Sequence, residues 1–99
     1  MKGNFDSIIK DTRPVIVDFH ALWCGPCKVQ SPILAEVAAE FGDRVWVIKI
    51  DVDQNPVLAG RYHIQGVPTV IIFKNGELLW RQSGVVSKDQ LRHLINQNV

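Results

Sequence analysis

The chain has 99 residues, 46% of them apolar and 21% charged, with a formal net charge of +1. That length fits one domain over residues 1–99, large enough for a single hydrophobic core without a metal or disulfide scaffold. The near-neutral balance and scattered Lys and Arg give nucleic acid no footing. No stretch approaches the ~20 apolar residues of a membrane span. The first apolar run, Val15 to Phe19, is too short, too late and too interrupted by Asp18 for a signal peptide. Two cysteines are too few for a secreted disulfide framework, so a reducing cytoplasm is the expected compartment, although a trimmed exported chain would look the same.

In chain order, Asn4 to Lys10 is weakly helical, with Phe5, Ile8 and Ile9 on one short face. After Pro14, the β-branched run Val15 to Phe19 reads as a strand buried on both faces. Helical signals begin after Trp23, with Cys24 at the cap and Pro26 in the first turn, where amides have no intrahelical partner. Ile33, Leu34, Val37, Ala38 and Phe41 carry the helical period to Gly42, across an internal Pro32. A second strand is expected over Val45 to Ile50, and a short helix from Pro56 to about Tyr62. Val70 to Phe73 reads as a third strand, and Asn75-Gly76 as a hairpin turn into a fourth from Glu77 to about Arg81. Ser87 and Gln90 open a last helix, with Val86 placed to pack on Leu91. Helix-linked strands followed by a hairpin predict an α/β fold: a mixed sheet with helices on both faces.

The chemistry concentrates at Cys24 and Cys27. A Cys-x-x-Cys pair suits half a zinc site, an inert pair or a redox couple. Structural zinc needs about four protein ligands. There is no second Cys pair, and the only nearby nitrogen ligand is His20, so no metal is expected. The pair lies just after a buried strand, at the opening of a helix. Unpaired amides and the helix dipole stabilise a thiolate there. Cys24 is the better-placed nucleophile; Cys27, one turn deeper, should be shielded, with a higher pKa, and would close the ring onto Cys24 to release a substrate thiol.

Asp18 interrupts an otherwise apolar strand. Burial raises a carboxyl pKa towards the range of a useful general base. Lys49, on the neighbouring strand, is the opposite charge best placed to moderate it. Trp46 and Trp80 read as packing, while Lys28, Arg81 and Lys88 read as solvated surface charges.

Trp23-Cys24-Gly25-Pro26-Cys27-Lys28 resembles the active-site motif of the thioredoxin family. Asp18-Phe19 with Ala21 before it, Pro32-Ile33-Leu34 after it, and Lys49 through Asp51, Asp53, Gln54, Asn55 and Pro56 are also similar, as are Val67-Pro68-Thr69, Phe73-Lys74-Asn75-Gly76 and Gly84. The likeness runs from about Phe5 to the C-terminus. It implies a thioredoxin fold and a protein-disulfide reductase in which Cys24 attacks, Cys27 resolves and Asp18 exchanges the proton of Cys27. It also implies a cis Pro68 opposite the cysteines, with the Val67 backbone pairing with substrate. Trp23 and Gly84 would flank the groove, with Gly66 and Val85 extending its apolar rim. No bound cofactor is implied. Electrons would come from an NADPH-dependent flavoprotein similar to thioredoxin reductase, and the partners would be proteins carrying disulfides. Gly25-Pro26 resembles the dipeptide of reducing members.

Two departures stand out. Family members begin with a strand that this chain has short or absent, so a four-strand sheet is expected, with Val45 to Ile50 at an edge. A monomer is expected, although such an edge can pair with a second chain. His20 stands where the family has a bulky aromatic, two residues from Asp18 and on the same strand face. The alternatives are a specialised or exported reductase, or a binding module that uses the groove while the thiols idle.

Overall fold

The computed structural model describes residues 4–99. Its elements are α1 (Phe5–Ile8), β1 (Val15–His20), α2 (Gly25–Phe41), β2 (Trp46–Asp51), α3 (Pro56–Arg61), β3 (Thr69–Lys74), β4 (Glu77–Ser83) and α4 (Lys88–Asn96). The expected order holds throughout, with ends moved by a few residues. The first helix contracts to one turn, and β4 runs on to Ser83.

The strands pair in the order β2-β1-β3-β4, with β1 and β2 parallel and the other pairs antiparallel. Among the described residues the sheet therefore has four strands and β2 is an edge. A strand ahead of α1 would fall on residues 1–3, outside those described. Trp46 N–H donates to Pro14 O and Val52 N–H to His20 O. The main-chain groups of Val47 and Lys49 thus point away from β1.

Alternation along β1 sorts its side chains between two cores. Ile16 faces Leu34, Val37 and Phe41 of α2 and Leu91 and Ile95 of α4. Val15, Val17 and Phe19 face the other way, towards Phe5, Ile9, Leu58 and Tyr62. Helices therefore cover both sheet faces, as expected. α1 is too short to be stable alone. It is held by Phe5, whose ring meets Tyr62 and Phe73 edge-on at 5.7 and 5.8 Å, and by the Asn4 cap.

Asn75 and Gly76 both take positive φ, 54° and 83°, as a two-residue hairpin turn requires. Ser87 caps α4 by accepting from Gln90 N–H, and Val86 packs in the same core as Leu91. α2 passes through Pro32 and ends at Gly42. Along α2, Cys27, Gln30, Leu34, Val37 and Phe41 form the buried stripe, on which β1 and β3 rest.

Candidate active site

β1 ends at His20 and α2 begins at Gly25, so the intervening loop delivers Cys24, and the first turn of α2 delivers Cys27, to the C-terminal end of a central strand. Cys24 has extended geometry, φ −88° and ψ 115°, and is the N-cap of α2. Its Sγ accepts the Cys27 N–H at 3.1 Å. Gly25 and Pro26 occupy the first two helical positions, where Pro forfeits no helical bond. Cys24 and Cys27 form a disulfide, with Cα atoms 5.3 Å apart. Contrary to expectation, Cys27 is not the more shielded: Cys24 is 3% and Cys27 5% exposed, because the Val67 loop covers Cys24. They differ in their polar neighbours, since only Cys24 caps the helix and lies 3.5 Å from the Val67 carbonyl oxygen.

Val67-Pro68 is a cis peptide facing the disulfide, as the resemblance implied. The loop is tied on both sides: Thr69 Oγ1 donates to Gly66 O at 2.7 Å, and Gly84 N–H donates to Pro68 O at 2.8 Å. Gly84 has φ +90°, a left-handed conformation that favours glycine, and open space surrounds the position a Cβ would take. The Val67 N–H has no hydrogen-bond partner among the described residues.

Trp23 is not core packing: it is 72% exposed, and its Nε1–H donates to Asp53 Oδ2 at 2.8 Å. A shallow groove of about 90 Å³ runs between Trp23, Val52, Ile64, Gly66 and Val67. Leu22, next to Trp23 in the chain, is 74% exposed and Val85 39%, whereas both cysteines are buried. Leu22 and the Asp53 tether were missed in the sequence, although the Leu22-Trp23 doublet before a cysteine was a visible sign.

Asp18 is fully buried, and neither carboxylate oxygen has a hydrogen-bond partner. Burial pushes its pKa up, opposed by the charges of His20 and then Lys49. Lys49 is opposite Asp18 in the β1–β2 register, but its Nζ donates to Ser31 Oγ. His20 lies on the Asp18 face of β1, with Asp51 as its register partner. A cleft of about 170 Å³ reaches Cys27 between His20, Leu22, Lys28, Ser31 and Lys49.

One side chain departs from the sequence reading, and another was passed over by it. Arg81 is not merely solvated, because its guanidinium donates to the carbonyls of Tyr62 and His63 at the end of α3. Gln30 is fully buried and hydrogen-bonds the Val86 main chain. Its place on the stripe between Cys27 and Leu34 was the available signal. A larger cavity, about 360 Å³ between Arg13, Arg44 and Lys74, lies at the far end of β1 and holds none of these groups. Among the described residues, no group of His, Cys, Asp and Glu could hold a metal ion, and no helix is long and apolar enough to cross a membrane.

A disulfide at a helix N-terminus, facing a cis-proline loop and following a strand that carries a buried carboxyl, is the arrangement of a thiol–disulfide oxidoreductase. The family model described as Thioredoxin matches residues 1–97, and the chain belongs to that family. It is 44% identical over 92 residues to the thioredoxin of Acidithiobacillus ferridurans, covering 93% of this chain and 85% of that one. To "Thioredoxin Y, chloroplastic" of Oryza sativa subsp. japonica it is 46% identical over 90 residues, covering 90% of this chain and 54% of that one. The solved structure described as "Structure of a malarial protein" superposes with a TM-score of 0.82 at 31% identity, covering 88% of this chain and 98% of that one. The activity is protein-disulfide reduction.

Proposed function

We propose that Cys24 is the attacking thiolate and Cys27 the resolving one. In the reduced protein, Cys24 Sγ attacks one sulfur of a substrate disulfide. That bond breaks, one substrate thiolate leaves and takes a proton, and a mixed disulfide joins Cys24 to the other half. Asp18 then accepts the Cys27 proton, and Cys27 Sγ attacks Cys24 Sγ, expelling the second substrate thiolate. Two electrons pass to the substrate and the Cys24–Cys27 bond is left behind. The N-cap position of Cys24 carries this assignment: its Sγ already accepts the Cys27 N–H, at the positive end of a 17-residue helix.

An extended substrate segment lies across the groove, with its backbone against Val67 beside cis Pro68. Trp23 and Gly66 contact it on one side, Gly84 and Val85 on the other. Gly25 and Pro26 shape the first turn of α2, while His20 and Lys49 tune Asp18. The unpartnered Val67 N–H among the described residues supports the backbone pairing. Electrons come from an NADPH-dependent flavoprotein reductase, with no cofactor held by the chain itself. The protein works as a monomer in a reducing cytoplasm. Exposed Lys49 on β2, the sheet edge among the described residues, supports the monomer, because a charged side chain discourages edge pairing.

Trapping tests the roles. Cys27→Ser should accumulate mixed disulfides through Cys24, while Cys24→Ser should accumulate few. Equal trapping by the two variants would reverse or abolish the assignment.

A further inference from the structure

Gln30 is a polar side chain in an apolar stripe, and both of its functional atoms are engaged by one residue. Its Oε1 accepts the Val86 N–H at 2.7 Å, and its Nε2 donates to the Val86 carbonyl at 3.1 Å. The amide thus pairs with a stretch of main chain as a neighbouring strand would. Buried amides need such partners, so packing alone would favour Leu at this position.

The segment so held is the arc Gly84–Val86 between β4 and α4. Its other end is held by the Gly84 N–H bond to Pro68 O, 2.8 Å long. One pin reaches the cis-proline loop, and the other reaches α2 one turn past Cys27. Between them Val85 stands 39% exposed, whereas Val86 is fully buried. Gln30 therefore couples the helix that carries the reactive sulfurs to one wall of the groove.

We infer that Gln30 is a positioning residue for macromolecular substrates: through Val86 it fixes Gly84 and Val85 relative to the disulfide, and so favours protein disulfides over small ones. A small disulfide needs only the sulfurs, whereas a polypeptide must also fit the wall. This inference rests on the proposal that Gly84 and Val85 contact the substrate.

The test compares kcat/KM for a protein disulfide, such as those of insulin, with the rate for a small aromatic disulfide, in Gln30→Leu, Gln30→Glu and Val85→Glu. The quantity read is their ratio. Losing both Val86 bonds should lower it about fivefold in Gln30→Leu, and Val85→Glu should lower it as well. Gln30→Glu adds a reading that packing cannot mimic. A neutral carboxylic acid can accept from Val86 N–H and donate to Val86 O, but a carboxylate can only accept. The ratio in Gln30→Glu should recover towards wild type as pH falls, and that in Gln30→Leu should not. If Gln30→Leu does not fold, the pH series carries the test. A wild-type ratio in Gln30→Leu with a lowered one in Val85→Glu would overturn the role of Gln30 and leave the groove standing. An unchanged ratio in Val85→Glu would remove the groove contact itself, and the inference with it.

Discussion

Lys49 faces Asp18 across the parallel β1–β2 pairing, yet it donates to Ser31 Oγ at 2.5 Å. The carboxyl is thus buried on one face of the sheet with a cation nearby and no hydrogen bond of its own. Coulomb attraction alone does not offset the desolvation of an ion that nothing else solvates. The proton on Asp18 is therefore held more firmly than on an exposed carboxyl, which suits the proposed role of giving and taking one.

Replacing Asp18 by Asn removes this burden. Because the folded-state pKa is raised, stability is fullest below the unfolded value near about 3.9 and declines as pH rises through the folded value. Asp18→Asn should abolish that decline and be more stable near pH 7 by on the order of 2 kcal/mol. Disulfide exchange should slow by roughly tenfold or more, as loss of a general base implies. Denaturation at several pH values, paired with insulin reduction, measures both. A less stable variant with unchanged turnover would dismiss the buried base.

Ser31→Ala and Lys49→Met should move Asp18 in opposite directions. Without Ser31 the ammonium is released towards the carboxyl, favouring the charged form and lowering its pKa. Without Lys49 the attraction is lost and the pKa rises further, so the decline of stability with pH extends to higher pH. Carboxyl carbon chemical shifts followed through a titration report both changes. Shifts of the same sign would mean that Lys49 acts on Asp18 other than by charge.

His20 supplies the larger of the two charges felt by Asp18. A charged imidazole favours a nearby thiolate as it favours a nearby carboxylate. The wild type should retain more reactive Cys24 thiolate than His20→Trp between about pH 5.5 and 7. Alkylation rates in a Cys27→Ser background isolate Cys24. Superimposable curves would leave His20 a packing substitution.

Asp53→Ala should release the Trp23 indole while hardly changing stability, because both side chains are at the surface. Trp23 fluorescence anisotropy should fall, and KM for a protein disulfide should rise by about two- to threefold. An unchanged anisotropy would show that the tether does not hold the ring.

Local rules carried most of the fold. The β-branched run at β1, the Asn75-Gly76 turn, the Ser87 cap and the Cys24 cap each depend on neighbours within a few residues, so they were legible in the chain. Gln30 was not, because its partner Val86 is 56 positions away and a polar residue on an apolar stripe does not announce what satisfies it. Trp23 and Asp53 are 30 positions apart, and Lys49 turns to a serine on another element. Nor could spacing show that both cysteines are equally buried, since the cover over Cys24 comes from the distant Val67 loop.

The capping bond and the covalent bond join the same two residues, Cys24 and Cys27. When the sulfurs part, Sγ of Cys24 can still hold the Cys27 amide, so the first turn of α2 keeps its backbone in either state. On that geometry the first turn of α2 would present visitors with the same outline in either form. Successive disulfide partners can use one landing area in turn, each told when to let go by the sulfurs rather than by any change of shape.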